Sequence, residues 1–182
     1  RRLILAGTSL SAILETDPAK YLEFVKLEFE ILQELNNDQL LVVATLAFSK
    51  IALTIDDLCT TFSYSSQEIS ELAMKCHFLK LTPTSHIEFI SETHRKYAAK
   101  QLEKFERKAI EAQLNKLQND PHSETSLRFL PTYLEKLQQQ EAILQLLSNE
   151  YYSNLLNSTQ SIIELKTRAE MGARSAQTLC LT

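Results

Sequence analysis

Three cysteines, Cys59, Cys76 and Cys180, and four histidines, His77, His86, His94 and His122, are the residues of this chain best suited to metal or nucleophilic chemistry. Their spacing does not serve it. No CxxC pair is present, and no histidines stand in the HExxH arrangement that turns two imidazoles to one helical face. Cys59 and Cys76 occupy apolar helical positions, which reads as buried free thiols in a reducing compartment. A cytoplasmic location is therefore expected. Asp56 and Asp57 are adjacent, so on a helix they point in different directions and read as cap and surface residues, not as an acid–base pair. There is no GxSxG sequence and no P-loop. With two glycines in the whole chain, no glycine-rich turn is available to cradle a phosphate. The residues imply no catalytic group, no metal and no cofactor held by this chain alone.

The elements that must position any site are mostly helical. The 182 residues include two glycines, four prolines and no tryptophan, with 44% apolar residues and a net charge of −4. So few breakers favour helix, because β-rich folds need many glycine turns. A net negative chain is a poor polyanion binder, since phosphate contacts need a basic surface. No apolar run approaches a membrane span and no signal peptide is visible. The start at Arg1 and the end just after a long helical pattern suggest a piece of a larger polypeptide.

Residues 1–16 read as helical. Asp17 and Pro18 then begin a helix whose Leu22, Phe24, Val25, Leu27, Phe29, Ile31 and Leu32 are too densely apolar for a solvated helix and predict a well-covered one. Asn37 or Asp38 caps the next helix, whose Leu40, Leu41, Val43, Ala44, Leu46 and Ala47 fill most faces. Thr54 with Asp57, and Ser65 with Glu68, form capping boxes for two more helices. In the second of these, Ile69, Leu72, Ala73, Cys76 and Leu79 share one face. Two short strands, Leu79–Thr82 and Ile87–Ile90, follow. Three helices and then a hairpin is the order of a winged helix. From Ser91 one helix is predicted to about Asn119, stopped at Pro121. Two further helices cover "SLRFLPTYLEKL" and "QEAILQLLSNEYYSNLL". A last helix places Ile162, Leu165, Ala169, Gly172, Ala173 and Ala176 on one packing face, as a helical-hairpin repeat would need.

A winged helix invites a DNA reading, and the residues oppose it. The recognition helix would carry Gln67, Glu68, Glu71, Lys75 and His77 on its exposed face. Its glutamates repel phosphate, it has no arginine to read guanine, and the wing "TPTS" is uncharged. Lys96, Lys100, Lys104, Arg107 and Lys108 form a basic stripe. Glu92, Glu103, Glu106 and Glu111 interleave with it, so a solvated face laced by salt bridges is expected.

The stretch "HIEFISETHRKYAAKQL", residues 86–102, passes from strand to charged helix through "SET". This junction resembles the winged-helix segment of the signal-transducing NTPases with numerous domains, the NACHT and NB-ARC proteins. There a strand runs into Met-His-Asp and then a helix of the type Leu-x-Arg-x-Tyr-Ala. Ile90, Ser91 and Glu92 occupy the Met-His-Asp places, and Arg95, Tyr97 and Ala98 match the helix, while Thr93 departs from the leucine. "RFLPTYLEKL" is similar to the helix that precedes the repeats in that family, and the likeness covers residues 20–180. In the family the motif histidine contacts the β-phosphate of ADP. Serine at that place can donate one hydrogen bond but carries no imidazolium charge. Ser91 also reads as the N-cap of the helix that follows.

The resemblance implies a mainly α chain in three parts. Residues 1–36 would end an upstream NTPase module, 37–100 would form a winged helix of three helices plus a short hairpin, and 101–182 would begin a TPR-like helical array. It also implies a non-enzymatic regulatory segment of an oligomerising switch in immune or phage-defence signalling. ATP or ADP with Mg2+ would bind in the parent protein, facing Ser91, Glu92 and Arg95. Glu68, Glu71, Lys75 and His77 would form an interdomain contact. The partners would be the upstream core, the downstream sensor and further copies of the parent. The rival readings are a winged-helix transcription regulator, which lacks the basic helix it would need, and a protein-interaction scaffold with no nucleotide dependence.

Overall fold

In the computed structural model, residues 18–180 are described. Asp17 and the helix expected over residues 1–16 lie outside them. The chain is mainly helical, with one small three-stranded antiparallel sheet. No described helix is long and apolar enough to cross a membrane.

Helix α1 spans Pro18–Glu28, with Pro18 first as its missing N–H allows. The chain then tightens into a 3₁₀ helix over Phe29–Glu34 instead of continuing as one α-helix. Val25, Phe29 and Leu35 are buried, whereas Leu22 and Leu27 are 48% and 62% exposed. The segment expected to be well covered is covered on one side, where Tyr21, Ile31 and Leu32 also pack on the core, and open at Leu22 and Leu27. Helix α2, Asn37–Phe48, is capped by Asn36, ahead of both expected caps. Asn36 wins because Gln39 stands at the right distance to bond back to its N–H, closing a reciprocal box. Val42 to Ala47 of α2 are all buried, so it is the central helix.

Strand β1 is only Leu53–Thr54. It leads into α3, Ile55–Phe62, and α4, Ser66–Lys75, through the two predicted capping boxes at Thr54 and Ser65. Ser63 ends α3 in the left-handed conformation. Strands β2, Leu79–Leu81, and β3, His86–Phe89, form the hairpin. β3 is central, pairing Leu53 with Ile87 on one side and Lys80 with Glu88 on the other.

Helix α5 runs from Glu92 to Gln101 and stops. A 3₁₀ turn, Glu103–Phe105, separates it from α6, Glu106–Gln118. The single helix expected from Ser91 to Asn119 is thus broken. Leu102 and Phe105 are both buried in the first core, and a straight helix would carry them past it. The bend lets Ala109 close that core while Ile110, Leu114 and Leu117 open the next.

Helices α7 (Glu124–Lys136), α8 (Gln140–Leu146), α9 (Asn149–Thr159) and α10 (Ile162–Cys180) complete the described chain. The stretch predicted as one helix over 140–156 divides at Leu147, because Ser148 caps α9. On α10 the packing face is rotated from the expected one. Leu165, Gly172 and Ala176 are at least partly covered, but Ile162, Ala169 and Ala173 are exposed, and Met171 and Ser175 are buried instead. Arg128 and Arg168 bridge α7 and α10 in this orientation. Arg128 pairs with Glu164, and Arg168 donates to the Thr132 hydroxyl and the Arg128 carbonyl.

Candidate functional site

The strand–helix junction forms one wall of a groove of about 320 Å3. Ser91, Glu92 and Arg95 line that wall, and Ser49, Lys50 and Ile51, between α2 and β1, line the other. The three residues that the sequence singled out therefore meet at one place. Ser91 is the N-cap of α5 and its hydroxyl accepts from the His94 N–H. An N-terminal cap leaves the first-turn N–H groups and the positive end of the helix beside the groove.

Each wall is held from behind. The Ser91 hydroxyl lies 2.7 Å from His94 Nδ1, and His94 Nε2 lies 2.9 Å from the Glu28 carboxylate of α1. The Tyr21 hydroxyl is 3.4 Å from the same serine. Arg95 donates two bonds to the Glu92 carboxylate, at 2.7 and 2.6 Å, and a third, at 2.9 Å, to the Ala47 carbonyl at the end of α2. The Arg95 guanidinium holds the Glu92 carboxyl below its usual range, and Glu92 raises Arg95 in return. On the opposite wall, the Lys50 N–H donates to the Tyr133 hydroxyl of α7 at 2.9 Å. Burial pushes the Tyr133 phenol up, and that hydrogen bond only partly offsets it.

Ser91, His94 and Glu28 stand in the order of a hydrolase triad, but the His94 ring does not serve one. The residue is 2% exposed, with the rings of Tyr21 and Phe29 about it, so a leaving group has no approach to its nitrogens. The network is suited to holding position.

The second group, Glu68, Glu71, Lys75 and His77, is exposed as expected. Glu68, Glu71 and Lys75 border a separate concavity of about 350 Å3 with Tyr64 and Leu72, which His77 does not join. Glu68 closes the Ser65 cap, and those bonds lower its pKa. Lys75 reaches Glu34 at 3.9 Å.

A larger cavity of about 620 Å3 lies between α2, α3 and α6, where Lys116 meets Asp57 at 2.7 Å. Nothing in the sequence marked this pairing. The expected salt-bridge lacing of the basic stripe holds at Arg107, which pairs with Glu111. Lys96, Lys100, Lys104 and Lys108 form no ion pair among the described residues. Lys104 instead lies over the Phe105 ring at 5.0 Å.

Sequence reading missed Glu28, His94, Lys50 and Tyr133. His94 had one available signal, its place three residues after the cap, where a side chain folds back onto Ser91. Cys76 is fully buried and its thiol is pushed up to about 12 by that burial, so it is an inert core residue. Among the described residues, no group of three or more His, Cys, Asp or Glu side chains is placed to hold a metal ion. No protein-family model, curated protein or solved structure matches this chain.

Proposed function

We propose that this chain is a regulatory winged-helix and helical-linker segment of a NACHT- or NB-ARC-like NTPase switch. In this reading α2, α3 and α4 with the sheet are the winged helix, and α6 onward is the start of a TPR-like array. With ADP in the parent protein, the winged helix docks on the upstream core. Engagement of the downstream sensor and exchange for ATP release it and expose an oligomerising surface. The physical content is two packings of the same modules, biased by ligand.

The observation that carries the reading is the convergence of Ser91, Glu92 and Arg95 on one groove at the N-terminus of α5. A helix N-terminus beside a groove suits an anionic group. The strand order, with β1 beside the hairpin, supports the winged-helix part. The acidic exposed face of α4 favours this reading over sequence-specific DNA binding.

The test is the polypeptide upstream of Arg1, over about 300 residues, the room that one or two domains need. A P-loop after a predicted strand supports the reading. Ser91→Ala in the full-length parent is then expected to shift the balance of ADP-bound and activated forms. An upstream sequence without a P-loop overturns the reading. DNA titration by fluorescence anisotropy would then separate a transcription regulator from a scaffold, a flat response leaving the scaffold.

A further inference from the structure

The contacts behind the two groove walls join into one path. Glu28 of α1 holds His94, and His94 holds Ser91. Ser91 leads directly into Glu92, which holds the Arg95 guanidinium. Arg95 reaches the Ala47 carbonyl, and two residues on begins the Ser49–Ile51 turn, tied internally by Ser49 Oγ donating to the Ile51 carbonyl at 2.7 Å. Lys50 in that turn donates to Tyr133 of α7. The path therefore runs from α1 to α7 and crosses the groove at Arg95.

We propose that this path is a coupling device, through which a displacement of α7 is felt at the α5 cap and at α1. It deepens the regulatory reading by naming how the groove is governed, and it can be tested with no nucleotide present. The burial of Tyr133 at one end and of His94, next to Glu28 at the other, supports it. Tyr133 is 0% exposed and His94 2% exposed. Water cannot readily replace a partner lost at either buried group, while the Glu92–Arg95 link between them, 56% and 39% exposed, is the path's weakest step. Ile51 packs against both the first and the second core, so the turn cannot stay still while α7 moves. Both ends connect to one structural element, the groove, and a coupling claim requires that both bias it, which exchange measures.

The experiment is amide hydrogen exchange on the whole chain carrying Tyr133→Phe, which deletes only the hydroxyl. Exchange at Lys50 is expected to rise by about tenfold, the equivalent of one buried hydrogen bond. The decisive readout is the first turn of α5, far from the substitution, where the His94 and Arg95 amides are expected to exchange about threefold faster or more. Coupling is reciprocal, so Glu28→Gln should speed exchange at Lys50. In an Arg95→Ala background, which cuts the path at the groove, Tyr133→Phe should no longer reach α5. A Tyr133→Phe effect confined to residues 49–52 overturns the proposal. If Tyr133→Phe does not fold, Glu28→Gln read at Lys50 decides it, and no change there overturns it.

Discussion

The region up to Ala109 and the region after it are held together by different means. In the first, α1 to α5 and the sheet share one continuous core, from Val25 to Ala109. Some of its polar contacts are half-buried and span long stretches of sequence, as Glu28 to His94 and Arg95 to Ala47 do. In the second, two smaller clusters centre on Tyr133 with Ile143 and on Leu155. Ion pairs near solvent, Arg128 with Glu164 and Arg174 with Glu135, accompany them. Polar ties do not separate the two, since Tyr151 with Leu127 and Ser126 with Leu117 are buried in the second region, where a shift would leave a group unpaired away from water. Small clusters bridged by exposed charges resist displacement less. The difference is one of core size, and it predicts unequal losses when each core is cut.

The largest effect that sharpens this comparison is in the cores. Phe78 is fully buried and stacks on Phe29 at 4.0 Å. Phe78→Ala should cost about 3–5 kcal/mol, and Leu155→Ala, in the smallest cluster, about 2–3 kcal/mol. Chemical denaturation checks both, and equal losses would break the comparison. Next is Tyr151, whose hydroxyl donates to the Leu127 carbonyl. Tyr151→Phe should cost about 1–3 kcal/mol because that buried acceptor is left unpaired. Burial pushes the Tyr151 phenol up to about 12. Ultraviolet titration should therefore show it ionising only near that pH.

A smaller effect belongs to Asp57. Partial burial opposes its ionisation, but the Lys116 ammonium and the Thr54 bonds outweigh it and bring its pKa below the ordinary 3.8. Its contribution is thus fully present above pH 3.8 and is lost as the pH falls through the lower folded value. Asp57→Asn should cost about 1 kcal/mol at neutral pH, and the gap from the wild type should narrow in acid. Last comes Arg174→Ala. With side chains 58% and 40% exposed, the Arg174–Glu135 pair should be worth under about 1 kcal/mol, and added salt should erase it.

Local boundaries were legible because their causes lie within four residues. The Thr54 and Ser65 boxes, the Ser91 cap and the stop before Pro121 all appear where side-chain spacing puts them. Strand β1 was not legible, since two residues show no alternation, and only its pairing with His86 and Ile87 makes it a strand. The break at Leu102 was hidden because residues 92–118 contain no Gly or Pro to mark a stop. The bend exists to bury Leu102 and Phe105. At the groove, Ser91, Glu92 and Arg95 were visible as a cluster within five residues. Lys50 and Tyr133 were not, because nothing in either segment marks a partner in the other.

By itself the sequence determined a mainly helical chain, the caps at Thr54, Ser65 and Ser91, the buried face of α4 and the absence of a P-loop. These follow from short-range hydrogen bonding and from the period of apolar residues, which act before any distant segment arrives. Tertiary structure alone decided that His94 would be a buried tie, that α1 would share the first core, and that α10 would turn Ile162 outward. It also decided that one groove would be gripped from both α1 and α7. Those outcomes depend on which surfaces meet, and burial assigns a polar side chain its partner only once they have met.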